Sequence, residues 1–174
     1  VMLSSVSGDK RGIGYVSLGS LNDSVKAVSV AGVVASAATV KDGTYKLARP
    51  FNVAYKADNA KDTLADFIIY LASAQAQEII GDNGYVSVKD NAPQYVAPET
   101  APSASIVIGG SSSVSPLMEK LIENYCSLSG VAIAKIELQT LDSTAGMTNA
   151  ISGTYDLGMA SVSYTHLTLP TIRL

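Results

Sequence analysis

Two glycines and three serines, Gly109-Gly110-Ser111-Ser112-Ser113, stand between the apolar run Ile106-Val107-Ile108 and the segment Val114-Ser115-Pro116-Leu117-Met118. Residues of these types in this order suit the capture of a small oxyanion. The β-branched run builds a buried strand, glycine lets the backbone approach a ligand, and hydroxyls lie beside the unpaired amides that open a helix. Pro116 fits the first helical position, where its missing N–H costs nothing, and Ser115 ahead of it is the expected N-cap. Asp142-Ser143-Thr144-Ala145-Gly146-Met147 is a second stretch of this kind. There Ser143 or Thr144 is expected to cap a helix and offer its hydroxyl to the same ligand. Two helix starts at one sheet edge converge on one crevice.

Other chemistry finds little support in the composition. Twelve Lys and Arg against fifteen Asp and Glu leave a net charge of −3, which speaks against a nucleic-acid surface. An anion site survives that balance, because oriented amides make a local positive field. The single cysteine, Cys126, excludes an internal disulfide and a cysteine-rich metal site, and reads as a packed or partly exposed thiol on an amphipathic stretch. His166 is the only histidine, so neither a His/Cys metal centre nor any cofactor is expected. A hydrolase built on a loop serine would lack a base for the same reason. Ser7-Gly8-Asp9-Lys10 has acyl-enzyme spacing without companion motifs, and Arg49 before Pro50 reads as an ion-pairing turn residue. Asp156 heads a strand; a turn or cap role competes there with service as an acceptor for a protonated oxyanion.

The elements that must position the loops follow from hydrophobic periodicity. At 174 residues and 47% hydrophobic content the chain is about one α/β domain long, and no apolar run reaches the roughly 18 residues of a membrane span. No signal peptide is visible. Strands are predicted at 13–18, 25–30, 51–55 and, as a short extended piece, 84–88. One amphipathic helix is predicted over 62–80, with Leu64, Phe67, Ile68, Leu71, Ile79 and Ile80 on its face and Gly81 as C-cap. Residues 91–104 carry three prolines and read as an extended linker. Beyond it a βαβ pattern begins: strand 106–108, helix 116–128, strand 133–138, a short helix around 145–151 and a strand over 156–160.

Three blocks, Gly109 to Leu121, Asp142 to Met147 and Tyr155-Asp-Leu-Gly-Met-Ala-Ser161, resemble the opening portion of the phosphate-binding proteins of ABC phosphate importers. Gly12 to Leu18, Tyr45 to Asn52 and Gly84 to Val88 resemble the same family's closing portion. The resemblance covers most of residues 8–161, with closing portion ahead of opening portion. That order implies the end of one tandem domain (1–90), a linker (91–104) and the start of a second (105–162). It also implies a periplasmic-binding-protein-like (type II) single lobe, with a mixed, mostly parallel sheet flanked by helices, assembled from both pieces in circularly permuted order.

Carried over residue by residue, the resemblance makes Ser112, Ser113, Ser143 and Ser161 the phosphate ligands, with Ser111, Thr144 and Asp156 as further candidates. Where many relatives have an arginine after the third-loop serine, this sequence has Val162. Residues 163–174 leave the family pattern and read as a sequencing artefact, to be excluded from function. The implied function is phosphate binding for uptake, with inorganic phosphate and ABC permease subunits as partners. The implied location is extracytoplasmic, with lipid anchoring of the intact parent. Sulfate or molybdate binding, or a structural or signalling role of the same fold, are the alternatives.

Overall fold

The computed structural model describes residues 2–162 and 169–174. The apolar run at 106–108 extends into a longer strand that takes in both glycines, β2 (Ile106–Ser111). An amphipathic helix follows, α5 (Ser115–Ser129), which buries Leu117, Met118, Leu121, Ile122 and Tyr125 and ends at left-handed Gly130. The chain returns through β3 (Ile136–Leu141), crosses α6 (Ser143–Ser152) and enters β4 (Leu157–Ala160). β2 pairs in parallel with both β3 and β4, so the chain steps from β2 out to β3 through α5 and returns past β2 to β4 through α6.

The sheet is completed from the other end of the sequence. β1 (Asn52–Tyr55) pairs antiparallel with β4, Asn52 opposite Ala160 and Tyr55 opposite Leu157, and β5 (Thr171–Arg173) lies antiparallel on its outer side. The order β3-β2-β4-β1-β5 is a mixed sheet flanked by helices, as expected of the fold class. The expected continuous helix over 62–80 is instead two, α3 (Asp62–Leu71) and α4 (Ala74–Asp82). The break falls at Ser73, whose hydroxyl accepts from the Ala76 N–H at 3.4 Å, a local cap that competes with helix continuation. Phe67 and Tyr70 of α3 pack with Tyr125 of α5, so α3 shares the core of the segments that follow the linker.

Residues 91–104 are extended but docked. Tyr95 is buried, its ring against Tyr70 and Tyr125, its hydroxyl donating to Asp66 at 2.6 Å, and its backbone N–H donating to Gln75. At the far end Asp62 accepts from the Ser103 and Ala104 N–H groups, each at 3.0 Å. Those two amides pull the Asp62 carboxyl down to about 2.

Two compact units are present, and their division does not fall at this segment. One comprises Arg49–Ile79 with Ser87–Leu174, described above; the other comprises the chain up to Ala48 with Ile80–Val86. In the second, the strands expected at 13–18 and 25–30 do not form. It holds α1 (Met2–Gly8), a 3-10 turn at Leu18–Ser20, one bridge between Val30 and Val33, and α2 (Ala37–Lys41), opened by a Ser36–Thr39 capping box. Alternating apolar residues make a strand only where another strand lies alongside. None does among the described residues, and Ile13 and Tyr15 stand 84% and 86% exposed. Gly81 lies inside α4, and the left-handed turn comes at Gly84. The extended piece expected at 84–88 is no strand either, since the Val88 and Lys89 N–H groups donate to the Gln77 side chain.

Candidate functional site

Parallel strands end on the same side. Because β2, β3 and β4 are mutually parallel, the segments that leave their carboxyl ends, Ser112–Val114, Asp142 and Ser161-Val162, gather along one sheet edge. The register fixes them closely: Gly110 lies opposite both Thr140 and Met159, and Ser111 opposite Leu141. The step from β2 out to β3 and the return from β3 past β2 to β4 run in opposite directions along the sheet, and a reversal of this kind is where open α/β sheets take their ligands.

Each loop is tied to the next by hydrogen bonds. The Ser112 N–H donates to the Leu141 carbonyl at 3.0 Å, and Thr140 Oγ1 donates to Ser115 Oγ at 3.0 Å, joining the first loop to the second. Ser143 Oγ accepts from the Ser161 N–H at 3.1 Å and lies 3.4 Å from Ser161 Oγ, joining the second to the third. Ser161 is buried and Ser143 half-buried, while Ser112 and Ser113 are exposed and their hydroxyls make no hydrogen bond among the described residues. Ser111 is buried as the last residue of β2, its carbonyl accepting from the Val114 N–H and the Ser115 hydroxyl.

Two glycines bring the helix start to this edge. Gly110 has φ 135°, a left-handed conformation that side chains disfavour. A Cβ on Gly146 would stand 2.6 Å from the Met159 carbonyl oxygen and 2.8 Å from Gly110 Cα. α6 therefore packs backbone to backbone on β2 and β4. Its amides reach the loop edge at that height only because residue 146 has no side chain.

The cap assignments shift by one residue in both helices. Asp142, not Ser143 or Thr144, is the N-cap of α6, its carboxylate accepting from the Ala145 N–H at 2.8 Å. That frees the Ser143 hydroxyl for Ser161, and Thr144 is exposed in the first turn. Val114 takes the cap position of α5, and Ser115 is its first helical residue. Asp142 was legible as a cap, since aspartate ahead of Ser-Thr-Ala is a favoured N-cap.

Asp156 is not brought to the serines. It precedes β4 at the opposite end, about 16 Å away along the strand. Its buried carboxylate accepts from Asn59, from Lys61 Nζ and from the Val107 N–H, all at 2.8 Å. Burial pushes that carboxyl up, but the bonds from Lys61, Asn59 and Val107 outweigh it and hold it below its ordinary value. Among the described residues no three His, Cys, Asp or Glu side chains group as a metal site. His166 lies outside the described residues.

This geometry has counterparts among known proteins. No protein-family model matches the chain. The phosphate-binding protein PstS 2 of Streptococcus agalactiae is 45% identical over 161 residues, 92% of this chain and 53% of the relative. PstS 2 of Streptococcus pneumoniae is 41% identical over 160 residues, again 92% of this chain and 53% of the relative. The crystal structure of the phosphate-binding protein of a phosphate ABC transporter from S. pneumoniae matches with a TM-score of 0.86 at 37% identity, covering 98% of this chain and 66% of that one. Over 92% of its length the chain is similar to proteins named phosphate-binding protein PstS 2. It spans about half the length of the curated relatives it matches. The relatives are named as binding proteins, not as enzymes.

Proposed function

We propose that this chain binds inorganic phosphate at the carboxyl edge of β2, β3 and β4, as part of the solute-binding component of an ABC phosphate importer. The observation that carries the reading is the convergence of three serine-bearing loops at one edge, in a homologue of proteins named for phosphate binding. Ser112 and Ser113 supply exposed hydroxyls, and the linked pair Ser143 and Ser161 supplies the buried flank. Such a site works by replacing the anion's water with fixed donors. Residues 49–79 and 87–162 act as one lobe whose strands come from both sides of 91–104, and residues 163–174 take no part in binding. In the whole protein the partners are the permease subunits of the importer, and the site is extracytoplasmic.

A lobe of this kind wets the anion on its open face, so the chain alone is expected to hold phosphate more weakly than about 1 mM. Phosphorus NMR line broadening at millimolar phosphate, with sulfate as competitor, tests the reading. Broadening that Ser143→Ala and Ser161→Ala together abolish supports it. Broadening that both substitutions leave unchanged, or that an equal concentration of sulfate abolishes, refutes it.

A further inference from the structure

We infer that residues 96–102 are a tether the lobe does not need, and that the lobe is a self-assembling complex of two polypeptide pieces that happen to be joined there. This inference stands whatever the ligand. Residues 96–101 are exposed, Val96 to 80%, and 96–102 make no hydrogen bond or ion pair among the described residues. The chain is pinned on either side of that stretch. Before it, Tyr95 exchanges two hydrogen bonds with the Gln75 side chain, 2.9 Å from its N–H and 3.2 Å to its carbonyl, and its ring is buried. After it, Asp62 holds the Ser103 and Ala104 amides, Thr63 Oγ1 donates to the Ala104 carbonyl at 2.7 Å, and Lys61 Nζ donates to the Ser105 carbonyl at 2.9 Å.

Contacts between the two pieces are of the kind that hold a core. β1 is an interior strand of the sheet, paired over four residues with β4. Phe67 and Tyr70 of α3 pack on Tyr125, whose hydroxyl donates to Asp66 at 2.8 Å. Lys61 and Asn59, in the segment that follows β1, close on buried Asp156 at the start of β4. A short tether over such an interface supplies an effective concentration of millimolar order and no specific contact. Where the chain is joined is thus separable from how the lobe is built.

The test replaces residues 96–102 with a recognition sequence of the same length for a site-specific endopeptidase, followed by cleavage. The cut protein is expected to co-elute as one species and keep its far-UV circular dichroism. Its melting temperature becomes concentration-dependent, rising by roughly 3–5 °C for each tenfold increase, while that of the uncut protein does not move. In the cut protein Asp62→Ala should separate the pieces, whereas the uncut Asp62→Ala chain stays folded. Failure of the uncut replacement to fold, separation of the pieces on cleavage, or a melting temperature independent of concentration after cleavage would each overturn the inference.

Discussion

Replacing Gly146 with alanine tests the backbone contact that sets the site, because two opposing terms can be weighed. Alanine is the better helix former by about 1 kcal/mol, and α6 would gain that much in isolation. Against it, the new Cβ meets the Met159 carbonyl oxygen at 2.6 Å, Gly110 Cα at 2.8 Å and the Gly109 carbonyl oxygen at 3.0 Å. All three are backbone atoms of central strands, which cannot rotate aside. Reaching ordinary contact at 3.4 Å requires the helix to retreat by about 0.8 Å, and overpacking of this sort costs about 1–3 kcal/mol, near the upper end against rigid backbone. The net expectation is a loss of about 2 kcal/mol, or roughly 4–8 °C in melting temperature for a chain of this length. Gly81 in α4 is the control, since a Cβ there meets nothing within 4 Å. Gly81→Ala should gain about 0.5–1 kcal/mol. Urea denaturation followed by circular dichroism reads both substitutions. A Gly146→Ala protein as stable as the parent would refute the claim that the helix is seated by the missing side chain.

Other outcomes follow from the hydrogen bonds. Ser143→Ala leaves the buried Ser161 N–H without its acceptor and should cost about 1–3 kcal/mol in urea titration, besides weakening phosphate broadening. Asp156→Asn should destabilise the fold by about 2 kcal/mol, through its bonds to Lys61, Asn59 and Val107, yet leave phosphate broadening unchanged; a selective loss of broadening would return Asp156 to the site. Asp62, held down to about 2 by the Ser103 and Ala104 amides from an ordinary 3.8, contributes stability that is fully present above about pH 4 and lost as pH falls toward 2. Asp62→Asn should flatten that part of the acid-unfolding profile; an unchanged profile would contradict the docking of 103–104.

Elements packed against neighbours within one unit were legible from the sequence. β1, β2, β4, α5 and α6 each came from a run whose period matched its structure, because packing against neighbours within the same unit rewarded that period. The strands expected at 13–18 and 25–30 had the right alternation and no pairing partner, which periodicity cannot report. The split of 62–80 turned on one serine hydroxyl choosing a local amide, an option that the apolar pattern does not register. At the site, the serines could be picked out by type and Asp142 by position. That Asp156 belongs to the far end of β4 depended on Lys61 and Asn59, about a hundred residues away in sequence. Glycines within a helix and a strand, Gly146 and Gly158, were the available sign that backbones meet closely there.

β1 has a consequence for synthesis. Its partner in the sheet, β4, lies more than a hundred residues further along the chain, as the pairing of Asn52 with Ala160 records. At a ribosomal rate of about 5–20 residues per second, Val53 and Ala54 leave the exit tunnel some 5–20 s before the strand that covers them exists. Through that interval the nascent chain presents an apolar strand with both edges open, so the time between these two strands, more than the stability of the finished lobe, sets its exposure to chaperones and to aggregation.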